Sequence, residues 1–438
     1  MNDYGFIRIA AAVPVVRIAD TEANAEEICR SVAEAVGNEV SLVAFPELSL
    51  TGCSCGNLFF QSLLVRGAEE GVKKIVDFSR GKDITIITGA PVSYRSLLYD
   101  CAIVIRNGNI KGIVPKTYTE DNMIFASGSD FLSGDVRNDG TLLDNGKDFV
   151  REGYPGQRCN ISPNLLFGIG RMTFAIEIGT DFDAPVRPSA LHALQGAGLI
   201  VNISAGNEVL MTDRYRKTAL SSHSASCICS YMHVSSGFGE STGDLVYSGA
   251  ASIWENGELI AENKRFLTES SLTIADIDIE KIGNLRQKSR TFRCTVPDGT
   301  KASSYYRLYS RTGLGPAHDT DFHKRLHRHI EAHPFVPSED LDYRCSEILS
   351  MQEAALVKRL THINCRTAVI GISGGLDSTL ALLVTAMAFD RLGWSHERIV
   401  AVTMPGFGTT SRTRSNAWDL MLALEVTCRE IPIGPAVS

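Results

Sequence analysis

Ala368-Val369-Ile370-Gly371-Ile372 is a β-branched apolar run that passes directly into the polar turn Ser373-Gly374-Gly375-Leu376-Asp377-Ser378. Thr379–Leu392 then repeats apolar residues with helical periodicity. A strand that feeds a helix through so short a glycine turn reads as one unit of a parallel α/β sheet. The turn opens a helix N-terminus, where unpaired N–H groups and the macrodipole favour an anion and glycines let the backbone approach phosphate. Gly371, Ser373, Gly374, Gly375, Leu376, Asp377 and Ser378 are therefore candidates for holding nucleotide phosphates. Asp377 would repel phosphate unless a divalent cation lay between them, which points to Mg²⁺ with Asp377 as its ligand. The run lacks the Gly-Lys-Ser/Thr ending of a P-loop. A second strand, Val400–Met404, leads into Pro405-Gly406-Phe407-Gly408-Thr409-Thr410-Ser411 and a helix over Arg412–Leu424.

The rest of the chain is also mixed α and β. Ile7–Val16 and Leu42–Phe45 are strand-like and flank a helix at Thr21–Val36, where Ile28, Val32, Ala35 and Val36 share a face. A helix at Leu58–Phe78 precedes a strand at Ile84–Thr88. Cys101–Arg106 and Lys111–Val114 are joined by the hairpin signal Asn107-Gly108. Phe174–Ile178, Leu199–Ile203, Ile228–Val234, Leu245–Trp254 and Ser271–Asp278 continue the series, with a tight turn at Glu255–Glu258. Strands and helices in this alternation predict a layered α/β sandwich over residues 1–285. Residues 286–337 read as a linker or docking segment, rich in Arg, Lys and His. His323 and His327 have metal-ligand spacing, but no acidic or Cys partner completes a set, so a basic solvated helix is expected there. Residues 338–438 begin with a long helix to about Cys365 and form the nucleotide-binding part. They supply two strands and a third starting at Glu430–Ile433, against the five or so of a closed doubly wound domain.

Composition narrows the partners. A net charge of −7 and pI near 5.9 remove the field that draws proteins to nucleic acid. No apolar stretch reaches the roughly 20 residues of a membrane span, and Met1–Gly5 carries no secretory signal, so a cytoplasmic protein is expected. Eleven cysteines, an odd number, with Cys53/Cys55 and Cys227/Cys229 as the only close pairs, predict reduced thiols and no zinc site.

Ser373–Ser378 resembles the pyrophosphate loop of the ATP pyrophosphatases, and the Met404-Pro405 segment resembles the second nucleotide-binding segment of NAD⁺ synthetases. Phe45-Pro46-Glu47-Leu48-Ser49-Leu50-Thr51-Gly52 and Val114-Pro115-Lys116-Thr117-Tyr118 resemble two of the three catalytic stations of the nitrilase superfamily. The resemblance makes Glu47 a general base and Lys116 an oxyanion partner to a nucleophilic thiolate. In the third station, Phe174-Ala175-Ile176-Glu177-Ile178-Gly179-Thr180-Asp181-Phe182, Gly179 stands where the family carries its Cys. Loss of a nucleophile costs on the order of 10⁶ in rate. Gly239-Glu240-Ser241-Thr242-Gly243-Asp244 and Glu255-Asn256-Gly257 are similar to the glutaminase domain of glutamine-dependent NAD⁺ synthetases. That family implies an αββα nitrilase-like sandwich followed by the first part of a doubly wound ATP-pyrophosphatase-type domain. It implies ATP and Mg²⁺ as cofactors, and glutamine or ammonia as nitrogen source for amidating deamido-NAD⁺ (nicotinate adenine dinucleotide). It also implies a homo-oligomer. The family has a Ser at Gly206, a basic residue near Thr212 and a longer loop than Thr119–Ile124, so the glutamine site differs at several points. A non-catalytic scaffold or remnant that keeps the sandwich is the alternative. The synthetase part reads as cut at Ser438.

Overall fold

The computed structural model describes residues 4–94, 96–119, 124–128, 159–295, 310–322, 325–336, 340–406 and 410–434. Contacts divide the chain into two units, Met1–Ile330 and Glu331–Ser438.

The first unit opens with β1 (Phe6–Val13), α1 (Thr21–Gly37), β2 (Leu42–Ala44), α2 (Ser62–Phe78), β3 (Thr85–Tyr94), β4 (Leu97–Arg106) and β5 (Asn109–Pro115). It continues through β6 (Leu165–Ile169), β7 (Met172–Ile178), α3 (Pro188–Leu194), β8 (Leu199–Ser204), α4 (Thr212–Ser226) and β9 (Ser230–Ser235). It closes with β10 (Ala251–Glu255), β11 (Glu258–Glu262), β12 (Ser271–Asp278), α5 (Ile279–Lys288), α6 (Arg290–Thr295) and β13 (Ser310–Gly313). The strands form a six-stranded sheet ordered β12-β1-β2-β3-β4-β5 and a seven-stranded sheet ordered β11-β10-β9-β8-β7-β6-β13.

Alternation along each strand decides what each face covers. Ile7, Ile9, Ala11 and Val13 of β1 pack with Phe167, Phe174, Ile176 and Val201 of the other sheet, forming the central apolar layer. Ala10 and Ala12 face the other way, onto Ile28, Val32 and Ala35 of α1 and Val72 and Ile75 of α2. On the far side, Ala175, Ile200 and Tyr231 pack under Ala193 of α3 and Leu220 of α4. The result is the expected αββα sandwich. Asp20 caps α1 by accepting from the Ala23 amide at 3.1 Å, a contact worth about 1 kcal/mol. Both hairpin signals hold for one reason. Asn107-Gly108 (φ +46°, +74°) and Asn256-Gly257 (φ +48°, +92°) are left-handed pairs that suit the twist of antiparallel strands.

Several sequence expectations shift. Residues 53–60 form a 3₁₀ segment kinked at Gly56 (φ +52°), and extended Gln61 (ψ +119°) starts α2 at Ser62, later than the Leu58 expected from sequence. Residues 245–250 lie outside any strand, and β10 starts at Ala251. No solvated helix forms over the described residues around His327. Instead the His327 amide donates to Asp276 Oδ2 at 2.7 Å, and the Arg328 guanidinium grips both oxygens of buried Glu255 at 2.7 Å each. Local propensity lost there to a two-pronged charge-assisted contact. His323 lies outside the described residues, and among those described no group of three or more His, Cys, Asp or Glu is placed to hold a metal.

The second unit comprises α7 (Leu341–His362), β14 (Ala368–Gly371), α8 (Leu376–Leu392), β15 (Ile399–Thr403), α9 (Ser411–Ala423) and β16 (Thr427–Glu430). Its three strands are parallel and ordered β14-β15-β16. Leu382, Ala386 and Phe389 of α8 pack on Ile399 and Ala401 of β15 and on Leu360 of α7. The third strand starts at Thr427, earlier than the Glu430 expected from sequence, since the β15 pairing sets its register.

Candidate functional site

Each of the three stations in the first unit sits where a strand ends. Phe45 and Pro46 follow β2, and the chain turns at Glu47 and Leu48 (φ +53°). Gly89 on β3 permits this turn: a Cβ there would lie 2.3 Å from the Leu48 amide and 2.6 Å from the Pro46 carbonyl. Lys116 follows β5, and its ammonium donates to Glu47 Oε1 at 2.8 Å. The Glu47 side chain is buried and that of Lys116 nearly so. Gly179 follows β7 with φ +51°, a conformation glycine adopts without strain. A Cβ on Gly179 would fall 2.5 Å from Glu47 Oε2 and 2.8 Å from Lys116 Nζ. The fold thus brings Glu47, Lys116 and Gly179 together, and the ion pair fills the space a side chain at 179 would need.

Charge in this corner is strongly coupled. Burial opposes ionisation of Glu47, but Lys116 and a hydrogen bond with Asp100 hold its carboxyl below the usual range. Burial also works against the Lys116 ammonium, yet Glu47 and then Asp100 push its pKa up. Asp100 is buried on β4, and desolvation followed by repulsion from Glu47 drives its carboxyl well up, which favours its protonated form beside Glu47. The Lys116 amide donates to the Asp100 carbonyl at 2.8 Å, fixing the two elements in register.

Sequence reasoning passed over the groups that brace these three. Asp181 accepts from the amides of Thr117 (3.0 Å), Tyr118 (2.7 Å) and Ile178 (3.3 Å), tying the Lys116 loop to the Gly179 turn. Asn202 donates to the Gly179 carbonyl at 3.3 Å and accepts from His233 Nδ1 at 2.8 Å. Glu240 accepts from the amides of Cys53 (2.8 Å) and Ser54 (3.1 Å), which holds the 3₁₀ turn in place. A period of two along β8 and β9 marks Asn202 and His233 as sharing a face with Tyr231, but only strand register brings them together.

A cavity of about 510 Å³ opens onto Glu47, Lys116 and Gly179. Gly206, Thr212, Thr119 and Ile124 line it, so the positions expected from sequence to differ from the glutaminase pattern face one space. Cys53 lines it too, a cysteine that linear order does not place there. Burial and then Glu240 push its thiol up, leaving it neutral and a poor nucleophile.

Two buried histidines make the first unit sensitive to acid. Burial lowers His192 to about 4 and His233 to about 3, from the ordinary 6.5. Below pH 6.5 the unfolded chain binds protons that the folded chain refuses, so stability falls as pH drops through that window. Each histidine contributes a slope of up to about 1.4 kcal/mol per pH unit. The urea midpoint of the first unit is expected to be lower at pH 5 than at pH 7, and His233→Asn should flatten the difference.

The second unit carries the other candidate. Gly375 caps α8, which places Asp377 in its first turn. Ser373 Oγ and Ser378 Oγ lie 3.1 Å apart, and Ser378 Oγ also donates to the Gly375 carbonyl at 3.1 Å. Gly374 (φ +77°) must be glycine, because a Cβ would meet the Thr413 carbonyl at 2.1 Å. That close approach sets the loop against the first turn of α9, whose cap Thr410 accepts from the Thr413 amide at 3.2 Å. Met404 sits beside Gly371, its Cε 3.5 Å from where a Cβ would project. Phe407, Gly408 and Thr409 lie outside the described residues.

Comparison with known proteins agrees with this two-part arrangement. Residues 8–287 match the carbon-nitrogen hydrolase family and residues 348–438 match NAD synthase. The chain is 34% identical over 447 residues to a glutamine-dependent NAD(+) synthetase of Mycobacterium leprae (strain TN), covering 99% of this chain and 62% of that protein. It is 33% identical to its counterpart in Mycobacterium tuberculosis (strain ATCC 25618 / H37Rv), covering 98% of this chain and again 62% of the relative. The chain therefore spans about three-fifths of the length of these relatives. A solved glutamine-dependent NAD(+) synthetase from Cytophaga hutchinsonii shares the fold at 17% identity with a TM-score of 0.52, over 99% of this chain and 66% of that one. Among the described residues, no helix is long and apolar enough to cross a membrane.

Proposed function

The chain belongs to the carbon-nitrogen hydrolase family, and on that premise we propose that it is a ligase of the NAD⁺ synthetase type whose first unit no longer hydrolyses glutamine. In the proposed reaction ATP adenylates the nicotinate carboxylate of deamido-NAD⁺ with release of pyrophosphate. Ammonia then displaces AMP to give the carboxamide. The relatives are named glutamine-dependent, and glutamine is the ammonia source to be weighed for this chain. Here that source would need a thiolate between Glu47 and Lys116, and the observation that carries the reading is the bare Cα of Gly179 facing both.

This reading assigns Ser373, Gly374, Gly375, Leu376, Asp377 and Ser378 to the ATP phosphates, with Gly371 and Met404 flanking them. The hydroxyl cluster, the close-packed Gly374 and the free amides of the first turn of α8 suit an anion. A single carboxylate, Asp377, suits Mg²⁺, which keeps several waters and shares its remaining ligands with phosphate. When bound, the metal would neutralise the charge that builds on the leaving pyrophosphate. The chain's own residues orient the phosphates and hold Asp377 in the first turn.

Calorimetry of the full chain is expected to show Mg²⁺-dependent ATP binding. Asp377→Ala should remove the Mg²⁺ dependence, and Glu47→Gln should leave it unchanged. With ATP, Mg²⁺ and deamido-NAD⁺, NAD⁺ should form from ammonium and not from glutamine. The second reading, a non-catalytic scaffold, is favoured by the same closed Glu47–Lys116 pair and predicts NAD⁺ from neither source. Equal rates from glutamine and ammonium would overturn the loss of the glutaminase step.

A further inference from the structure

The junction of α4 and β9 holds chemistry that neither candidate site uses. Cys227 caps the C-terminus of α4, and Cys229 lies just ahead of β9, one residue apart in a Cys-Ile-Cys turn. Ile228 between them has φ +44°. A β-branched residue in left-handed backbone costs about 1–2 kcal/mol and persists only where its surroundings fix it. Arg286 of α5 does much of this fixing. Its guanidinium donates to the carbonyls of Ile228 (2.8 Å), Ala197 (2.6 Å) and Cys227 (3.2 Å). The amides of Ile228 and Cys229 return to Ala225 (3.2 Å) and Ser224 (3.1 Å) at the end of α4. These hydrogen bonds hold the turn at both ends and fix the two cysteines, one residue apart, on one short segment.

The surroundings treat the two sulfurs differently. The His223 imidazole lies 3.7 Å from Cys227 Sγ and is itself positioned by Ser189 Oγ at 2.8 Å. The rings of Phe182 and Tyr231 stand edge-on to it. Cys227 keeps 8% of its surface exposed, whereas Cys229 has none. The Cys229 thiol, opposed by burial but joined by His223, lowers the pKa of Cys227. Burial pushes up the thiols of Cys29, Cys53, Cys55 and Cys101. Among the described residues no metal-holding group includes the pair. What remains is a buried thiol with a little residual exposure, 3.7 Å from an imidazole, and a second, fully buried cysteine two positions further on.

We propose that Cys227 and Cys229 form a dithiol–disulfide site that exchanges with low-molecular-weight disulfides, Cys227 attacking and Cys229 resolving. The Cys227 thiolate attacks one sulfur of a disulfide such as oxidised glutathione, forming a mixed disulfide and expelling one thiolate, which takes up a proton. Cys229 gives up its proton and attacks Cys227 Sγ, closing the Cys227–Cys229 bond and expelling the second thiolate. Counting the proton that Cys227 releases to solvent on forming its thiolate, which the first leaving thiolate takes up, the protein loses two electrons and two protons, and the small disulfide becomes two thiols. The site joins two elements that both reach the cavity, α4 through Thr212 and Arg216 and β9 through His233 and Ser235.

The test incubates the folded full chain with oxidised glutathione, quenches by alkylation and maps the peptides. An internal Cys227–Cys229 disulfide is expected. The exposed Cys294 and Cys345 should give at most glutathione adducts. Cys229→Ser should trap glutathione on Cys227, and adding His223→Gln should slow that trapping about tenfold. Circular dichroism checks that each variant is folded. Recovery of Cys227 and Cys229 as free thiols in the wild-type chain, under conditions that modify Cys294, would overturn the proposal.

Discussion

Lys116→Met is expected to destabilise the first unit by about 3–5 kcal/mol, the range for removing one partner of a buried ion pair. The cost arises because Glu47 stays behind with no cation, beside a second buried carboxyl on Asp100. Its pH dependence identifies the cause. With Lys116 present, the Glu47 carboxyl is held low, so its stabilising contribution is present above the ordinary carboxylate pKa and is lost as pH falls through the lowered value. Without Lys116 the carboxyl is merely buried, and protonation relieves it. Denaturation midpoints of the variant should therefore lie further below wild type at pH 8 than at pH 5. Equal shifts at both pH values would mean that Lys116 acts through packing alone.

Gly179→Cys is expected to fold less stably than wild type and to recover little glutamine hydrolysis. Two penalties act together. The left-handed backbone at 179 costs a non-glycine residue about 1–3 kcal/mol. The new Cβ also falls 2.5 Å from Glu47 Oε2 and 2.8 Å from Lys116 Nζ, so the ends of both side chains must shift before the thiol can be accommodated. A nucleophile misplaced by about 1 Å can lose roughly 10²-fold in rate, and Gly206, which lines the cavity, has no side chain with which to hold a substrate. Ammonia release by the variant should stay at least about 10²-fold below that of a thiol-bearing relative assayed alongside. Full recovery would show that the pair yields easily and that the glycine is an isolated change.

Much of this site could be read from short segments. Glu47 and Lys116 announce themselves through flanking residues that sit at strand ends, and Gly179 through the apolar run before it. Ser373–Ser378 is equally local, since strand, turn and helix are contiguous. The unread part depends on contacts distant in sequence. Asp181 looks like an ordinary turn acid until the fold brings the amides of Thr117 and Tyr118 to it. Cys53 enters the cavity because Glu240, 187 residues away, holds its turn. The segment at His327 and Arg328 looks like a solvated basic helix, and only Asp276 and Glu255 in the folded sheet turn it into a docked strap. Local propensity describes what a segment prefers alone, and these segments are decided by partners elsewhere in the chain.

Ammonia release from glutamine by the purified full chain, compared with Glu47→Gln, tests the central claim most directly. The absence of a nucleophile at Gly179 predicts identical rates for the two proteins, both at the solution background. A saturable rate in the wild-type chain that Glu47→Gln abolishes would contradict it, and would mean that another group, with Cys53 the first to examine, attacks the amide in this cavity.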